Sequence, residues 1–405
     1  MLLRSPKSLS VLALSFAALA ALGARCPIGL DAQAFVELHD AGVDRYVGRF
    51  QPSASWPIGA WTEYRFDTQD GDGPVCLDGT PFAVYTQTRD PSRVAVYFTG
   101  GGACWSGMPS CAARVSPTPP DATGIFADSY VTESGETIEN PLADWSVMVV
   151  GNCDGSFFGG DNDVVDPSFA WGGVRHHRGV RNATAALDLA HELFPQAGKV
   201  LLAGTSAGAY GVLGILPLIA RFEWLNTTRL YLFADSGAAV YNLAETEDVA
   251  ARAADWGFAQ FYPESCTGCA ADAQPAELFS WLLDRDGQVR ASLYTTDGDL
   301  FLRYYLRLAT QAEYRELLLS VHDPIQAAFP DRYARFIVSG SEAHAVLPYD
   351  AFYQAEIHGT PLYRWMRDFL EQSPGVGGGD QDPQGSGSDP GSSWVDLVEE
   401  WIPVP

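Results

Sequence analysis

Ser206 lies in the stretch Gly204-Thr-Ser-Ala-Gly208, with an apolar run at residues 199–203 before it and a small-residue stretch at residues 209–216 after it. Strand, Gly-x-Ser-x-Gly turn and helix in that order make a nucleophile elbow, whose sharply bent backbone lifts one hydroxyl above a sheet. Glycines flank the serine because the bend and the helix that follows leave no space for side chains. The same pentapeptide occurs in plain Gly/Ser turns, so partners for Ser206 have to be found elsewhere in the chain.

A serine hydroxyl becomes a nucleophile only when a positioned base takes its proton, and the base needs a third group to hold its tautomer. In α/β-hydrolase topology both partners follow the serine, each in a loop after a later strand. His39, His176, His177 and His191 precede Ser206, His322 sits at the end of a helical pattern, and His358 lies in a turn before Gly359. His344 alone directly follows a strong late strand, at residues 335–338, and is the expected general base. For the acid, the loop after residues 292–296 offers Asp297 and Asp299. Asp299 also stands where it could cap the helical run that starts at Leu300, and pattern alone does not separate the two. An oxyanion hole needs backbone N–H groups aimed at developing charge. Ala207, the residue after the nucleophile, offers one, and the strand-end glycines Gly100, Gly101 and Gly102 offer others. A dinucleotide loop is the rival for those glycines, but the spacing is not Gly-x-Gly-x-x-Gly, and no acidic strand end follows about 20 residues on.

These residues need a scaffold. Apolar runs of buried-strand type occur at residues 93–98, 145–150, 199–203, 229–234, 289–295 and 335–338, and residues 81–88 read as a hairpin-like stretch. Helical patterns at residues 180–194, 300–321 and 361–370 lie between or after them, whereas residues 27–75 show no helical period. Strands separated by helical crossovers imply a largely parallel sheet covered on both faces, so the expected fold is α/β with the elbow on a central strand. One domain over residues 25–372 follows. Residues 373–393 are Gly, Ser, Pro and Asp with almost nothing to bury and read as a flexible linker; the apolar tail at residues 394–405 is expected to dock back as a short helix or to face away.

Composition bounds the function. The 405 residues carry a formal charge of −25, with Lys7 and Lys199 the only lysines, which disfavours nucleic acid as a partner. An anionic polysaccharide substrate would need local arginines to offset that field. Residues 1–24 read as a secretory signal, with Arg4 and Lys7 ahead of a leucine- and alanine-rich run too short to span a bilayer. Export follows; a lipid anchor on Cys26 fits poorly, because Arg25 precedes it. Seven cysteines suit an oxidising compartment. Cys104 and Cys111 are near enough to close a small loop, Cys266 and Cys269 can pair locally, and Cys26 is the odd thiol. Zinc would need a second ligand pair beside Cys266 and Cys269, and adjacent His176 and His177 can hardly face one ion, so no metal is expected.

With these pieces in place the chain resembles the pectin acetylesterase and Notum carboxylesterase family. The matching segments begin at Cys76, Phe98, Asn152, His177, Ala185, Gly204, Asp235 and Gly340, in the family's order from about residue 70 to 350. The resemblance implies an α/β-hydrolase-like fold without metal or organic cofactor, and hydrolysis of an ester on an extracellular glycan or acylated protein. It implies Ser206 as nucleophile, His344 as base, Asp299 rather than Asp297 as acid, and Gly101, Gly102 and Ala207 as the oxyanion hole. Disulfides Cys76–Cys153 and Cys104–Cys111 follow the same pattern. Thr99 and Ala103 depart from it, standing where animal and plant members carry a glutamate and a tryptophan, so the acyl pocket is not fixed by the resemblance. The expected activity is removal of acetyl groups from a glycan; the alternatives are a deacylase for longer chains on protein or lipid and, from another class, an inactive glycan-binding or surface module.

Overall fold

Strands buried on both faces read as unbroken apolar runs, and each of the six runs above becomes a strand of one ten-stranded sheet. The computed structural model describes residues 29–67, 71–108, 111, 113, 118–169, 173–224, 228–371 and 394–404. The expected leader, Cys26 and the 373–393 linker lie outside the described residues.

In chain order the strands of the sheet are β1 (Ala54–Ile58), β2 (Trp61–Phe66), β3 (Phe82–Gln87), β4 (Asp90–Phe98), β5 (Trp145–Val150), β6 (Lys199–Thr205), β7 (Arg229–Asp235), β8 (Val289–Thr296), β9 (Tyr333–Val338) and β10 (Leu397–Val398). Their spatial order is β1-β2-β3-β5-β4-β6-β7-β8-β9-β10. The first three are joined antiparallel, and every pairing from β5 to β10 is parallel. This is a mostly parallel α/β-hydrolase-like sheet with the elbow strand, β6, at its centre.

Alternate residues of the strands feed two cores. Val94, Val96, Val200, Leu202, Leu230 and Leu232 face the larger one, which packs under helices α1 (Ala32–Asp40), α2 (Gly179–Leu193), α3 (Ala207–Val212), α4 (Leu216–Glu223), α6 (Ala276–Arg285) and α8 (Gln311–Ala328); α5 (Thr246–Trp256) puts Trp256 into a small cluster with Trp105, and α7 (Leu300–Leu306) adds Leu302 and Leu306 to the larger core. Ala95, Tyr97, Leu201, Ala203, Tyr231 and Phe233 face the other, which is closed by α9 (Ala351–Gln354) and α10 (Leu362–Glu371). Trp365 and Phe369 of α10 are fully buried, each worth about 2–3 kcal/mol of apolar transfer.

Three local expectations are corrected. The single helical pattern at residues 300–321 is two helices, because Arg307 takes a left-handed φ of 54° and Thr310 with Glu313 forms a capping box that starts α8 afresh. Residues 27–75, read as lacking a helix, contain α1, capped by Asp31 through the amide of Ala34. The tail docks as the edge strand β10 rather than as a helix, tied by Asp396 to Arg335.

Candidate active site

A parallel sheet presents its loops at the carboxyl ends of the strands, where ligands of open α/β folds bind. The residues singled out for chemistry lie there: Thr99 to Gly102 after β4, Ser206 after β6, Asp235 at the end of β7, Asp297 and Asp299 after β8, and His344 after β9. Gly101, Gly102, Ser206 and His344 line one cavity of about 560 Å³.

Ser206 sits at φ 54° and ψ −115° between β6 and α3. Such a backbone costs on the order of 1–3 kcal/mol and persists only where surroundings enforce it. Here the Ser206 amide donates to the Asp235 carbonyl at 2.7 Å. A Cβ on Gly208 would lie 2.0 Å from the Phe98 carbonyl oxygen, and one on Gly204 would lie 2.4 Å from the carbonyl carbon of Gly208, so the crossing of α3 over β4 and β6 demands both glycines.

His344 Nδ1 lies 2.7 Å from Asp299 Oδ2. An ionised carboxylate only accepts, so Nδ1 carries the proton and Nε2 is left as the accepting nitrogen. Asp299 is fully buried, and its other oxygen accepts from the Leu302 amide, so the same carboxylate caps α7. Asp297 turns away: Gln311 Nε2, Arg315 Nη1 and the Ser339 hydroxyl donate to it at 2.7, 2.5 and 2.7 Å. The ring of Phe301, 5.0 Å from that of His344, closes one side of the imidazole.

The glycine loop is braced by Asn152, whose amide N–H donates to Thr99 Oγ1 and whose side chain donates to the Gly102 carbonyl, both at 2.9 Å. Gly102 has φ 90°, and a Cβ on Gly101 would lie 3.2 Å from the Asn152 carbonyl oxygen. The six described cysteines pair as Cys76–Cys153, Cys104–Cys111 and Cys266–Cys269, and the first two flank this brace. Ala207 opens α3, where first-turn N–H groups have no partner within the helix. Among the described residues no group of three His, Cys, Asp or Glu side chains converges as a metal site would require.

Five of the other six histidines have other partners, and His358 lies in a turn at a positive φ of 49°. His322 bridges the Ala238 carbonyl and the Tyr333 hydroxyl in the interior, His177 is buried on the Asp154 carbonyl, and His39, His176 and His191 lie beside Asp44, Asp163 and Glu223.

One residue is more central than its sequence suggests. Asp235 Oδ2 accepts from the Thr205 hydroxyl at 3.0 Å and from the amides of Val346 and Leu347 at 2.9 Å each. Its Oδ1 accepts from Ser236, whose oxygen accepts in turn from the Ala345 amide. Burial pushes this carboxyl's pKa up, while those two amides, Thr205 and the nearby His344 oppose the shift. Tyr97, whose hydroxyl donates to Thr205 at 2.7 Å, extends the chain to the cavity wall. The only sequence signal is the aspartate at a strand end before Ser236 and Gly237.

Comparison with known proteins adds family to geometry. The family model for pectinacetylesterase matches residues 65–260. That stretch, just under half of the chain, is similar to the pectinacetylesterase family. The matched stretch holds the glycine loop, Asn152, the elbow and Asp235, while Asp299 and His344 lie beyond it. Pectin acetylesterase 11 of Arabidopsis thaliana is 31% identical over 144 residues, 34% of this chain, and the chain spans about a third of that relative, 36% of its length. The solved structure of the Wnt deacylase Notum from Drosophila is 16% identical, with a TM-score of 0.49 over 73% of this chain and 89% of that one.

Proposed function

We propose that this chain is an exported serine carboxylic-ester hydrolase that removes O-acyl groups, chiefly acetyl, from an extracellular glycan. The observation that carries the reading is the 2.7 Å contact of His344 with buried Asp299, opening on the cavity that also holds Ser206 and the glycine loop. His344 Nε2 takes the Ser206 proton as Oγ attacks the ester carbonyl. The N–H groups of Gly101, Gly102 and Ala207 hold the oxyanion, a term worth about 2.7–4 kcal/mol per donor in comparable sites. The C–O bond to the alcohol breaks, His344 returns the proton to that oxygen, and the acyl group stays on Ser206. Water, deprotonated by the same imidazole, then releases the carboxylic acid and restores the serine. Asp299 keeps the proton on Nδ1 throughout.

Export is part of the proposal: the leader-like residues 1–24 and three disulfides suit an oxidising compartment. Among the described residues no helix is long and apolar enough to cross a membrane. Purified protein should hydrolyse p-nitrophenyl acetate, with rates falling steeply toward octanoyl and longer esters, and Ser206→Ala should abolish the activity. Hydrolysis unchanged in Ser206→Ala overturns the reading; rates rising with acyl length replace acetyl by a longer acyl group.

A further inference from the structure

We infer, on top of the esterase reading, that the tail segment at residues 399–404 is a positioning element of the catalytic pair: it holds the loop that carries Asp299 against the loop that carries His344. Those loops leave neighbouring parallel strands, β8 and β9. Without β10, β9 would be the edge of the sheet, and an unpaired edge presents its N–H and C=O groups to water. β10 pairs with β9 at Phe336 and Ile337, and because the pairing is parallel the chain then runs on toward the end from which both loops rise.

What the tail meets there is polar and specific. Glu399 Oε2 accepts the Ser339 amide at 2.8 Å, and the Glu399 carbonyl accepts from Arg315 Nη2 at 2.7 Å. The Ile402 amide donates to Ser339 Oγ, and its carbonyl accepts from Gln311 Nε2, both at 2.8 Å. Gln311 Oε1 in turn accepts the Val404 amide at 2.7 Å. Ser339, Gln311 and Arg315 are the same side chains that donate to buried Asp297. The tail therefore closes the far side of the node that fixes Asp297, two residues before Asp299, and it grips the first residue of the base loop.

Packing points the same way. A Cβ on Gly298, the residue between the two aspartates, would lie 2.5 Å from the Ser341 carbonyl oxygen and 2.7 Å from Val404 Cγ2, so acid loop, base loop and tail meet with no room for a methyl group. Gly340, at a left-handed φ of 72°, faces Ile402 Cγ2 in the same way, at 2.9 Å. The two loops also touch directly, through Thr296 Oγ1 on the Ala343 carbonyl at 2.8 Å and the Asp297 amide on the Val338 carbonyl at 2.9 Å, and the tail presses on that seam from outside. This bracing runs through shape and the tail's own polar groups, so the isosteric asparagine at position 297 leaves it in place. Anchor and brace are separable. Buried Trp394 donates to Ser292 Oγ at 2.9 Å, the Val395 carbonyl accepts from Trp365 Nε1 at 2.8 Å, and Asp396 pairs with Arg335, all ahead of Glu399.

The test compares the full chain with a version ending at Val398, which keeps the anchor and β10, and with Glu399→Ala and Glu399→Gln. Each is assayed on p-nitrophenyl acetate well below its melting midpoint, with kcat taken per folded molecule. A shift of about 1 Å at a catalytic group costs roughly 10²-fold, so the shortened chain should lose about 10- to 100-fold in kcat, with KM changed by less than about twofold. Glu399→Ala should lose about three- to tenfold, and Glu399→Gln, whose amide oxygen still accepts the Ser339 N–H, should recover most of it. A tail that only adds stability would lower the melting midpoint and leave kcat per folded molecule unchanged. That result in the shortened chain, or in Glu399→Ala where the shortened chain does not fold, overturns the inference and leaves the esterase standing. A full chain that does not cleave p-nitrophenyl acetate overturns the esterase reading beneath it.

Discussion

Asp299 serves two structures with one carboxylate: Oδ2 meets His344 Nδ1 at 2.7 Å, and Oδ1 accepts the Leu302 amide at 2.9 Å to start α7. The direction of this carboxylate is therefore fixed by a helix whose Phe301 also closes one side of the imidazole. Cap and proposed acid, the two roles that competed for this residue in the sequence, are compatible because a carboxylate has two oxygens.

Asparagine caps a helix as well as aspartate does, so Asp299→Asn should keep α7 and lose only the charge and the tautomer control. The expected loss in kcat for p-nitrophenyl acetate is on the order of 10³–10⁴, at nearly unchanged KM. Asp297→Asn should behave oppositely. It leaves Arg315 beside a neutral partner in the interior, which costs about 3 kcal/mol of stability in a denaturant melt, while kcat per folded molecule stays within a few-fold.

Asp235→Asn offers one acceptor oxygen where the Val346 and Leu347 amides, Thr205 and Ser236 now share two. The base loop and the elbow should lose their common anchor. A displacement of about 1 Å at His344 costs roughly 10²-fold, so steady-state kinetics should show kcat down by about 10- to 100-fold with KM nearly constant. A parallel rise in KM would mean that the residue shapes the binding wall instead.

How much of this was legible follows from physical range. The six central strands and the elbow were readable because a strand buried on both faces must be apolar throughout, and the elbow's glycines are demanded by contacts within a few residues or with the next strand. Asp297 and Asp299 stood level in the sequence. Their separation rests on Gln311, Arg315 and Ser339, which reach back over 14, 18 and 42 residues to claim Asp297. Asp235 carried no role in the sequence because its amide partners lie 111 and 112 residues away. The break at Arg307 is a left-handed turn at a non-glycine residue, which helical periodicity cannot register, although Thr310 and Glu313 held the capping-box spacing in view.

Two buried imidazoles set the acid limb of stability. Burial depresses the pKa of His177 and of His322 to about 4, against 6.5 for an ordinary histidine. A depressed value means that the unfolded chain binds protons first, so the stabilisation is complete above pH 6.5 and is lost as pH falls toward 4. The loss should be on the order of 2–3 kcal/mol per site. Glu223, whose pKa is raised by burial and by Asp188 beside it, acts in the other direction: its contribution is complete below about pH 4.5 and is lost as pH rises. Melting temperatures between pH 4 and 9 should trace a dome, and Glu223→Gln should flatten its alkaline side and steepen the rise on its acid side. A melting temperature constant from pH 4 to 6.5 would contradict the neutral buried imidazoles.

Covalent trapping of the nucleophile tests the central claim most directly. A fluorophosphonate probe incubated with the purified chain should add one adduct, and peptide mass spectrometry should place it on Ser206. Labelling should disappear in Ser206→Ala and slow by orders of magnitude in His344→Ala. An unlabelled wild-type protein, or an adduct on another serine that survives Ser206→Ala, would contradict the account.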